Sequence, residues 1–449
     1  MDLRELSQTL ARGGHVVDLC AALLRYCSEE HDDLRARLWE RTTQRRHAAV
    51  CADAAEALAS IGSLGTAELD APFTLTETIS EATGRALALL VGDAVSAHAV
   101  ATALDEHAHA SFFGRYDGVA TRLRTGDPFP VPWPRGAPDL FGPHLTAHPD
   151  RQDDRVDHTE HLRLLADDHG FYVVFDGRVR LPEPSAGRLI AALIPDAPIP
   201  VDDGFTWRTD AEARRFGDVT PRDPEAQWKR IEEGLARADR AGAWAVVMPE
   251  LSITEELAPR IQAWVASAKH VALIAAGSYH ATCGGVRRNV APVFARDGRA
   301  RRHAKVYPFE RGGLIEDIRP GRLIQIWATR RWSFAVVVCR DLLSTRVVPL
   351  LEDLRVRFLL APSFSPRTAE MEAFARYLAV RAQGAVVAAN TPHNEGDAVA
   401  WCAQPLVGGL EVAARRDEGG MHLILFALGA PGRIVALGSG PNLSEPKRE

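Results

Sequence analysis

Closely spaced cysteine pairs are missing from this sequence. Its six cysteines are spread over 449 residues without a CxxC motif: Cys20, Cys27, Cys51, Cys283, Cys339 and Cys402. This spacing argues against a disulfide framework and against a thiolate metal site. We therefore expect a protein of the reducing cytoplasm that uses no metal and no other cofactor.

The sequence also lacks a surplus of positive charge and a long hydrophobic run. Its formal net charge is −6, which favours neither nucleic acid nor an anionic membrane surface as a partner. The most apolar early window, residues 86–104, is interrupted by Asp93 and His98 and is too polar to span a bilayer. Charged residues also stand at the start of the chain, where a signal peptide needs an apolar run.

The first part of the chain shows helical spacing of its apolar residues. Residues 1–125 carry leucines and valines at this spacing, which predicts a mainly α-helical N-terminal domain with a second helical stretch beginning near Thr74. Residues 126–185 begin with many prolines and continue into the segment FYVVFDGRVRL. We predict a proline-rich linker there, followed by a small hairpin that turns at Asp176-Gly177.

Residues 186–449 alternate β-branched apolar runs with amphipathic segments, which is typical of α/β domains. One apolar run, residues 334–338, reads as a buried strand and ends at Cys339. A cysteine at this end of a buried strand can be a nucleophile or an ordinary core residue. Another run, residues 243–248, ends just before Glu250.

Three chemically competent residues follow strands or lie in the loops after them, in the order Glu250, Lys305 and Cys339. A thiol is a poor nucleophile at neutral pH unless it is deprotonated or has a base beside it. Glu250 can accept the thiol proton if burial raises its pKa toward the working pH. Lys305 can stabilise an oxyanion, and we also expect its charge to favour the thiolate.

Around these three residues, the chain resembles the nitrilase, or carbon–nitrogen hydrolase, superfamily, and the resemblance extends over about residues 186–437. The matching segments are AWAVVMPELSIT around Glu250, GSYHATCGGVRRNVAPVFARDGRARRHAKVYPF around Lys305, FAVVVCRDLLS around Cys339, FLLAPSFSP, and FARYLAVRAQGAVVAANTP. Two positions depart from the family. Arg340 follows the nucleophile where an aromatic or small residue is more frequent, and Gln383 stands where glutamate is usual. Both departures bear on the substrate more than on the chemistry.

The resemblance implies a four-layer α-β-β-α sandwich over residues 186–449, preceded by the helical domain, and a homodimer or higher homo-oligomer. It also implies a second glutamate after Lys305, for which Glu316 matches best and Glu310 is the alternative. The candidate substrate-binding residues are Arg340, Tyr279 and Ser363.

The side chain of Arg340 has two candidate destinations. One is a structural pair with a nearby carboxylate such as Asp341 or Glu352. The other is a bidentate contact with a carboxylate or phosphate of the substrate.

The implied reaction is hydrolysis of a small-molecule amide through a thioester on Cys339, with release of ammonia or an amine. A nitrile would react through a thioimidate, and an amine acceptor in place of water would make the same site an acyltransferase. Two other classes stay open. One is a Cys–His hydrolase in which His280, His303 or His393 acts as the base with Asp341. The other is a catalytically silent nitrilase-like fold that serves as a sensor or scaffold.

Overall fold

The structure is a computed structural model of the 449-residue chain. It describes residues 5–6, 8–9, 16–29, 34, 37, 40–60, 94–116, 118–130, 162–165, 167–176, 181, 188–195, 203–328, 333–354, 356–382, 384–393, 397–405, 410–414, 422–429 and 434–437. The chain divides into two compact units. The first comprises Met1–Trp133 and Thr146–Gly177, and the second comprises Pro134–Leu145 and Arg178–Glu449.

Helices and short strands make up the described part of the first unit. Its helices are α1 (Val16–Glu29), α2 (Arg41–Ser60) and α3 (Ala94–Tyr116), and its strands are β1 (Thr121–Arg122), β2 (Pro128–Pro130), β3 (Leu162–Leu164) and β4 (Tyr172–Asp176). Helix α3 contacts both α1 and α2. Apolar side chains such as Leu23 and Val95 are fully buried there, as their helical spacing requires.

Two sequence expectations fall in this unit. Within the proline-rich stretch, β2 forms an antiparallel pair with β3, where proline is tolerated because each strand has a neighbour on one side only in this two-stranded sheet. Strand β4 is the first strand of the predicted hairpin, whose turn and second strand lie largely outside the described residues, as does the helical stretch near Thr74. No helix in the described part of the chain is long and apolar enough to cross a membrane.

The second unit is a mixed α/β structure. Its helices are α4 (Pro224–Arg240), α5 (Leu257–Ser267), α6 (Val347–Asp353) and α7 (Ala369–Ala382). Its strands are β5 (Leu189–Ile194), β6 (Phe205–Asp210), β7 (Arg215–Pro221), β8 (Ala243–Val247), β9 (Leu273–Ala275), β10 (Tyr279–Cys283), β11 (Val286–Ala295), β12 (Ala300–Ala304), β13 (Glu310–Arg311), β14 (Leu314–Glu316), β15 (Leu323–Ala328), β16 (Ser333–Val336), β17 (Phe358–Ser363), β18 (Ala385–Asn390), β19 (Ala398–Ala403), β20 (Leu410–Ala414), β21 (His422–Ala427) and β22 (Ile434–Leu437).

Two large sheets form the core of this unit. One contains strands in the order β15-β16-β17-β18-β19-β20, and the other has the order β10-β11-β9-β8-β5-β21-β22 with β12 beside β11. Strands β16, β17 and β18 are parallel and buried along their whole length, which explains their continuous apolar runs. The sheets meet where the rings of Trp244 and Phe358 lie 5.9 Å apart.

Helices α4 and α5 cover the sheet that contains β8. Ile231 and Leu235 of α4 and Ile261 of α5 belong to the same apolar cluster as Val246 of β8. Helix α4 begins as the sequence predicts, because the Asp223 side chain accepts the Ala226 N–H at 2.9 Å and a proline follows at the first helical position. Helix α7 contacts β18 and β19 of the other large sheet.

A small sheet in the order β13-β14-β7-β6 was not predicted from the sequence. Strands β6 and β7 carry charged residues and a glycine instead of an apolar run, so their periodicity is weak. Phe205 and Phe216 from these strands form an apolar cluster with Val219, Leu251 and Phe364. This cluster places the small sheet beside the ends of β8 and β17.

Gly277 follows β9 at a point where the backbone of the β8 loop approaches closely. A Cβ at this position would clash with the Pro249 carbonyl oxygen, and the φ of Gly277 is +71°. We expect Gly277→Ala to lower the free energy of unfolding by more than about 2 kcal/mol, because strain and a clash with backbone add together.

Gly298 is the matched control, because its φ is +86° but nothing lies within 4 Å of its virtual Cβ. Gly298→Ala should cost about 1 kcal/mol from backbone strain alone. Urea unfolding of both variants measures the difference. Equal losses would contradict the close approach at Gly277.

Candidate active site

Lys305 lies between two carboxylates in the interior of the second unit. Its Nζ is 2.6 Å from Oε1 of Glu250 and 2.7 Å from Oε2 of Glu316. All three residues are at most 2% exposed. Charged groups are almost never this buried without partners, and here the ammonium and the two carboxylates provide partners for one another.

Backbone contacts hold the three charged residues in place. Glu250 follows β8, and its N–H donates to the Ser363 carbonyl at the end of β17 at 3.2 Å. Lys305 follows β12, and its N–H donates to the Asn289 carbonyl of β11 at 2.9 Å. Glu316 ends β14 and donates its N–H to the Phe309 carbonyl at 2.8 Å. The three side chains therefore come from the ends of three different strands or from the loops that follow them.

Cys339 stands just after β16, at the first position of a short 3-10 turn, Cys339–Leu343. Its φ is +49° although it is not glycine, a conformation that costs energy and is found at functional sites more than elsewhere. The side chain is fully buried, hydrogen-bonds with Glu250 and accepts the N–H of Phe364. The structure thus brings Glu250, Lys305 and Cys339 together.

Asp341 connects the turn at Cys339 to the loop after Lys305. Its buried carboxylate accepts the N–H of Val306 at 3.0 Å and that of Tyr307 at 2.8 Å. His303 lies 3.4 Å away from the same carboxylate. The rival Cys–His arrangement had assigned Asp341 to a catalytic histidine. In the structure this carboxylate bonds His303 as well as the two backbone N–H groups, and the backbone contacts fix the lysine loop to the nucleophile turn.

Glu316 is surrounded by four donors. Lys305 Nζ and the Phe309 N–H bind Oε2, the latter at 2.8 Å. Asn289 Nδ2 lies 2.8 Å from Oε1, and His280 Nε2 lies 2.9 Å from the same oxygen. Asn289 Nδ2 also lies 2.8 Å from Oε1 of Glu250, so one amide group can donate one N–H to each carboxylate.

Asn289 and His280 were not predicted to support this cluster. They stand directly opposite each other on the antiparallel pair β10–β11, so their side chains share one face of the sheet. Tyr279 and Val290 are the neighbouring opposed pair, and both belong to the apolar core. Aligning the segments GSYHATC and VRRNVAP as a hairpin places His280 opposite Asn289 only when the register of the hairpin is known.

The pKa values of the two glutamates shift in opposite directions. Burial raises the pKa of Glu250, and the charge of Glu316 adds to this, while Lys305 opposes it. Burial also acts on Glu316, but the charge of Lys305 and the hydrogen bond from His280 hold the pKa of that carboxyl far below its usual range. Burial lowers the pKa of Lys305, but the two carboxylates outweigh it and hold the pKa above the ordinary lysine range.

The charge of Lys305 favours the Cys339 thiolate, as expected, but the site as a whole favours the neutral thiol. Burial raises the pKa of the Cys339 thiol far above its usual range, and the negative charge of Glu250 raises it further. The charge of Lys305 lowers it but does not offset both effects. Cys339 therefore rests as a neutral thiol, with a carboxylate of raised pKa beside it.

The other candidate residues differ in their burial and contacts. Glu310 is exposed in β13, so Glu316 is the second glutamate at Lys305. Tyr279 was expected to bind substrate, but it faces the apolar core because alternate residues of a strand point to opposite sides. Ser363 is buried and donates its hydroxyl to the Ala361 carbonyl at 3.4 Å. Tyr279 thus packs in the apolar core and Ser363 bonds the backbone, and their roles in substrate binding stay predictions.

Arg340 pairs with neither of the predicted carboxylates among the described residues. Its Nη1 donates to the Pro308 carbonyl at 3.1 Å, and the side chain is exposed. Asp341 is occupied by backbone N–H groups, and Glu352 accepts a hydrogen bond from Arg381 at 2.7 Å. Arg340 lines a cavity of about 480 Å³, together with Phe309, Leu343, Ser365, Arg367 and His393 among others.

The chain is similar to solved structures but matches no family model. No curated protein matches it either. A cysteine-to-alanine variant of an amidase from the nitrilase superfamily of Nesterenkonia AN1 is 15% identical, with 55% of this chain and 93% of that chain covered and a TM-score of 0.39. Nit3 of Saccharomyces cerevisiae, a member of branch 10 of the nitrilase superfamily, is 16% identical, with 54% and 91% covered and a TM-score of 0.39.

A further similar structure is the glutamine-dependent NAD+ synthetase of Acinetobacter baumannii. It is 16% identical, with 57% of this chain and 49% of that chain covered and a TM-score of 0.38. The amidase and Nit3 are members of the superfamily that the sequence resembles. The roles of individual residues in this chain rest on the contacts described above.

The raised pKa of Cys339 leads to a direct test of its resting state. Thiolates absorb near 240 nm, so the absorbance of wild type minus Cys339→Ala reports Cys339 alone. Because burial and Glu250 favour the protonated form, we expect this difference to stay flat from about pH 6 to pH 9, a range in which an ordinary thiol titrates. A thiolate step near neutral pH would contradict the neutral resting thiol.

Proposed function

We propose that this chain hydrolyses a small-molecule amide through a thioester on Cys339. The observation that supports this most strongly is the contact between a buried thiol and Glu250, whose pKa is raised by burial. A carboxylate with a raised pKa is suited to remove a proton near neutral pH and to return it. The fixed charge of Lys305 beside it is suited to stabilise an oxyanion.

Acylation proceeds in two steps. Sγ of Cys339 attacks the amide carbon while its proton passes to Glu250, and the carbonyl π electrons move onto oxygen. Lys305 Nζ and the backbone N–H of Arg340 stabilise this oxyanion. The tetrahedral intermediate then collapses, its C–N bond breaks, and protonated Glu250 gives its proton to the departing nitrogen. Ammonia or an amine leaves, and an acyl thioester remains on Cys339.

Deacylation uses the same groups in reverse. Glu250 accepts a proton from water as the water oxygen attacks the thioester carbon. The C–S bond breaks, the sulfur recovers its proton from Glu250, and the carboxylic acid is released. Lys305 stays protonated throughout, which agrees with the direction of its pKa shift. No oxidant, reductant or other co-reactant is required.

The division of roles between the two glutamates follows from their hydrogen bonds. Glu316 has four donors on its two oxygens, so it has little capacity to accept a further proton. Glu250 is bound by Lys305 and Asn289 through Oε1, and it also contacts the thiol. We therefore assign the proton transfers to Glu250 and the orientation of Lys305 to Glu316.

We assign Arg340 to selection of an anionic amide. Its backbone is part of the turn that carries Cys339, while its side chain borders the 480 Å³ cavity that also contains Arg367. Guanidinium groups bind carboxylates and phosphates with two parallel hydrogen bonds. Glu310 and Glu370 line the same cavity, which supports a substrate that is anionic in one part and polar or cationic in another.

The remaining expectations from the sequence are part of the proposal. The two large sheets and their outer helices would form a four-layer α-β-β-α sandwich, and the protein would act in the cytoplasm as a homodimer or higher homo-oligomer. An amine acceptor would convert the thioester into an amide and make the protein an acyltransferase. A nitrile would give a thioimidate at Cys339. A silent scaffold has no need of the buried Glu250–Lys305–Glu316 cluster.

The proposed nucleophile is tested by ammonia release from a broad panel of amides. We expect Cys339→Ala to reduce release by about 10³-fold or more, because the covalent route is removed. Cys51→Ala is the matched control, because Cys51 lies in α2 of the other unit. Equal activity of wild type and Cys339→Ala would contradict the thioester mechanism. Adding hydroxylamine to the active substrate distinguishes acyl transfer from hydrolysis.

The role of Arg340 is tested by Arg340→Lys, which keeps the charge but loses the two-pronged geometry. We expect the KM for an anionic amide to rise by about 10-fold or more, while neutral amides and the alkylation rate of Cys339 change little. Arg381→Lys is the control, since Arg381 pairs with Glu352 on the surface. A similar loss for neutral and anionic amides would assign Arg340 to a structural role.

A further inference from the structure

We propose that His280 is a positioning residue that fixes Glu316, and through it Lys305, by donating a hydrogen bond from Nε2. The catalytic consequence of this contact rests on the proposed function, whereas the contact itself is a feature of the structure. His280 Nε2 lies 2.9 Å from Oε1 of Glu316, and both side chains are 1% exposed. At this distance the two buried groups form a hydrogen bond, and it is stronger in a low-dielectric interior than in water.

The backbone of a neighbouring strand determines the tautomer of His280. Nδ1 of the ring lies 3.1 Å from the backbone N of Val219 in β7, and that N–H is the donor. Since a backbone N–H can only donate, Nδ1 must accept and carries no proton. The ring proton is therefore on Nε2 and points to Glu316. The ring is fixed by a donor on one side and an acceptor on the other.

His280 lies on a strand of a large sheet and contacts the small sheet that carries Glu316. Val219 belongs to β7, which pairs in parallel with β14 through Phe216 and Glu316. His280 belongs to β10 in a large sheet, opposite Asn289. The imidazole thus joins the backbone of the small sheet to the carboxylate that the small sheet presents to Lys305. Loss of this connection removes one of the four donors of Glu316 without removing β14 itself.

The hydrogen bonds of Asn289 show why the loss would reach the reacting atoms. Without His280, Oε1 of Glu316 keeps only Asn289 Nδ2, which also binds Glu250. Oε2 keeps its contacts with Lys305 and the Phe309 N–H, but the carboxylate can tilt about them, and Nζ of Lys305 can shift with it. A displacement of about 1 Å at a catalytic group can cost about 10²-fold in rate.

Two substitutions separate the two contacts of the ring. His280→Gln can place an amide N–H near the position of Nε2 and so preserve the donor to Glu316. His280→Asn is shorter, so it can accept the Val219 N–H near the position of Nδ1 but cannot reach Glu316. His270→Asn is the control, because His270 is bonded through its backbone N–H to Asp239 and has no assigned role in the site.

We expect His280→Asn to lower kcat by about 10- to 100-fold with little change in KM, and His280→Gln to recover most of that loss at similar thermal stability. His270→Asn should behave as wild type. Equal loss in the Asn and Gln variants, or a loss that follows thermal stability alone, would overturn the positioning role. A change confined to KM would also overturn it.

A second readout does not depend on activity. Ring 15N chemical shifts of His280 in the wild-type protein should identify the Nε2–H tautomer, and the Nε2 resonance should move in Glu316→Gln. The Nδ1–H tautomer, or a resonance insensitive to Glu316, would contradict the proposal. If the tautomer is as expected but no amide is hydrolysed, the proposed function fails while the assignment of His280 to Glu316 stands.

Discussion

The bridge from Lys305 to Glu250 and Glu316 is the interaction on which the rest of the site depends. Removing one partner from a buried ion pair typically costs about 3 to 5 kcal/mol, because the remaining charge has no solvent to replace it. The surrounding donors meet this constraint. Asn289, His280 and the Phe309 N–H bind the carboxylates, and Asp341 fixes the loop after Lys305 to the turn at Cys339.

The two glutamates differ in the number of hydrogen bonds that their carboxylates accept from the protein. Glu316 receives enough hydrogen bonds to remain ionised, whereas burial and the nearby charge of Glu316 raise the pKa of Glu250. On the proposed mechanism, this asymmetry makes one carboxylate a base and the other a fixed support for Lys305. The neutral resting thiol of Cys339 fits the same account, because its proton leaves only as the new bond to carbon forms.

The sequence was most informative where one strand ends at one functional residue. The apolar run before Cys339 and the run before Glu250 indicated both residues, since local periodicity is enough to locate a buried strand. His280 was considered only as a catalytic base, and Tyr279 beside it was selected for substrate binding. A shift of one residue exchanges the two faces of a strand, and only the pairing with Asn289 and Val290 determines which face meets the site. Likewise, the choice between Glu316 and Glu310 depended on the small sheet, whose strands lack an apolar pattern.

The central claim is that Cys339 carries the acyl group and that Glu250 transfers its proton. The most direct measurement is acid quenching during turnover of the most active amide, followed by mass spectrometry of the peptide that contains Cys339. We expect an added acyl mass on Cys339 in wild type, and a much slower first appearance of this mass in Glu250→Gln, in which the base is lost but the fold has a near-isosteric side chain. No adduct under turnover in several amides, an adduct on another residue, or an equally fast first appearance in Glu250→Gln would contradict the account.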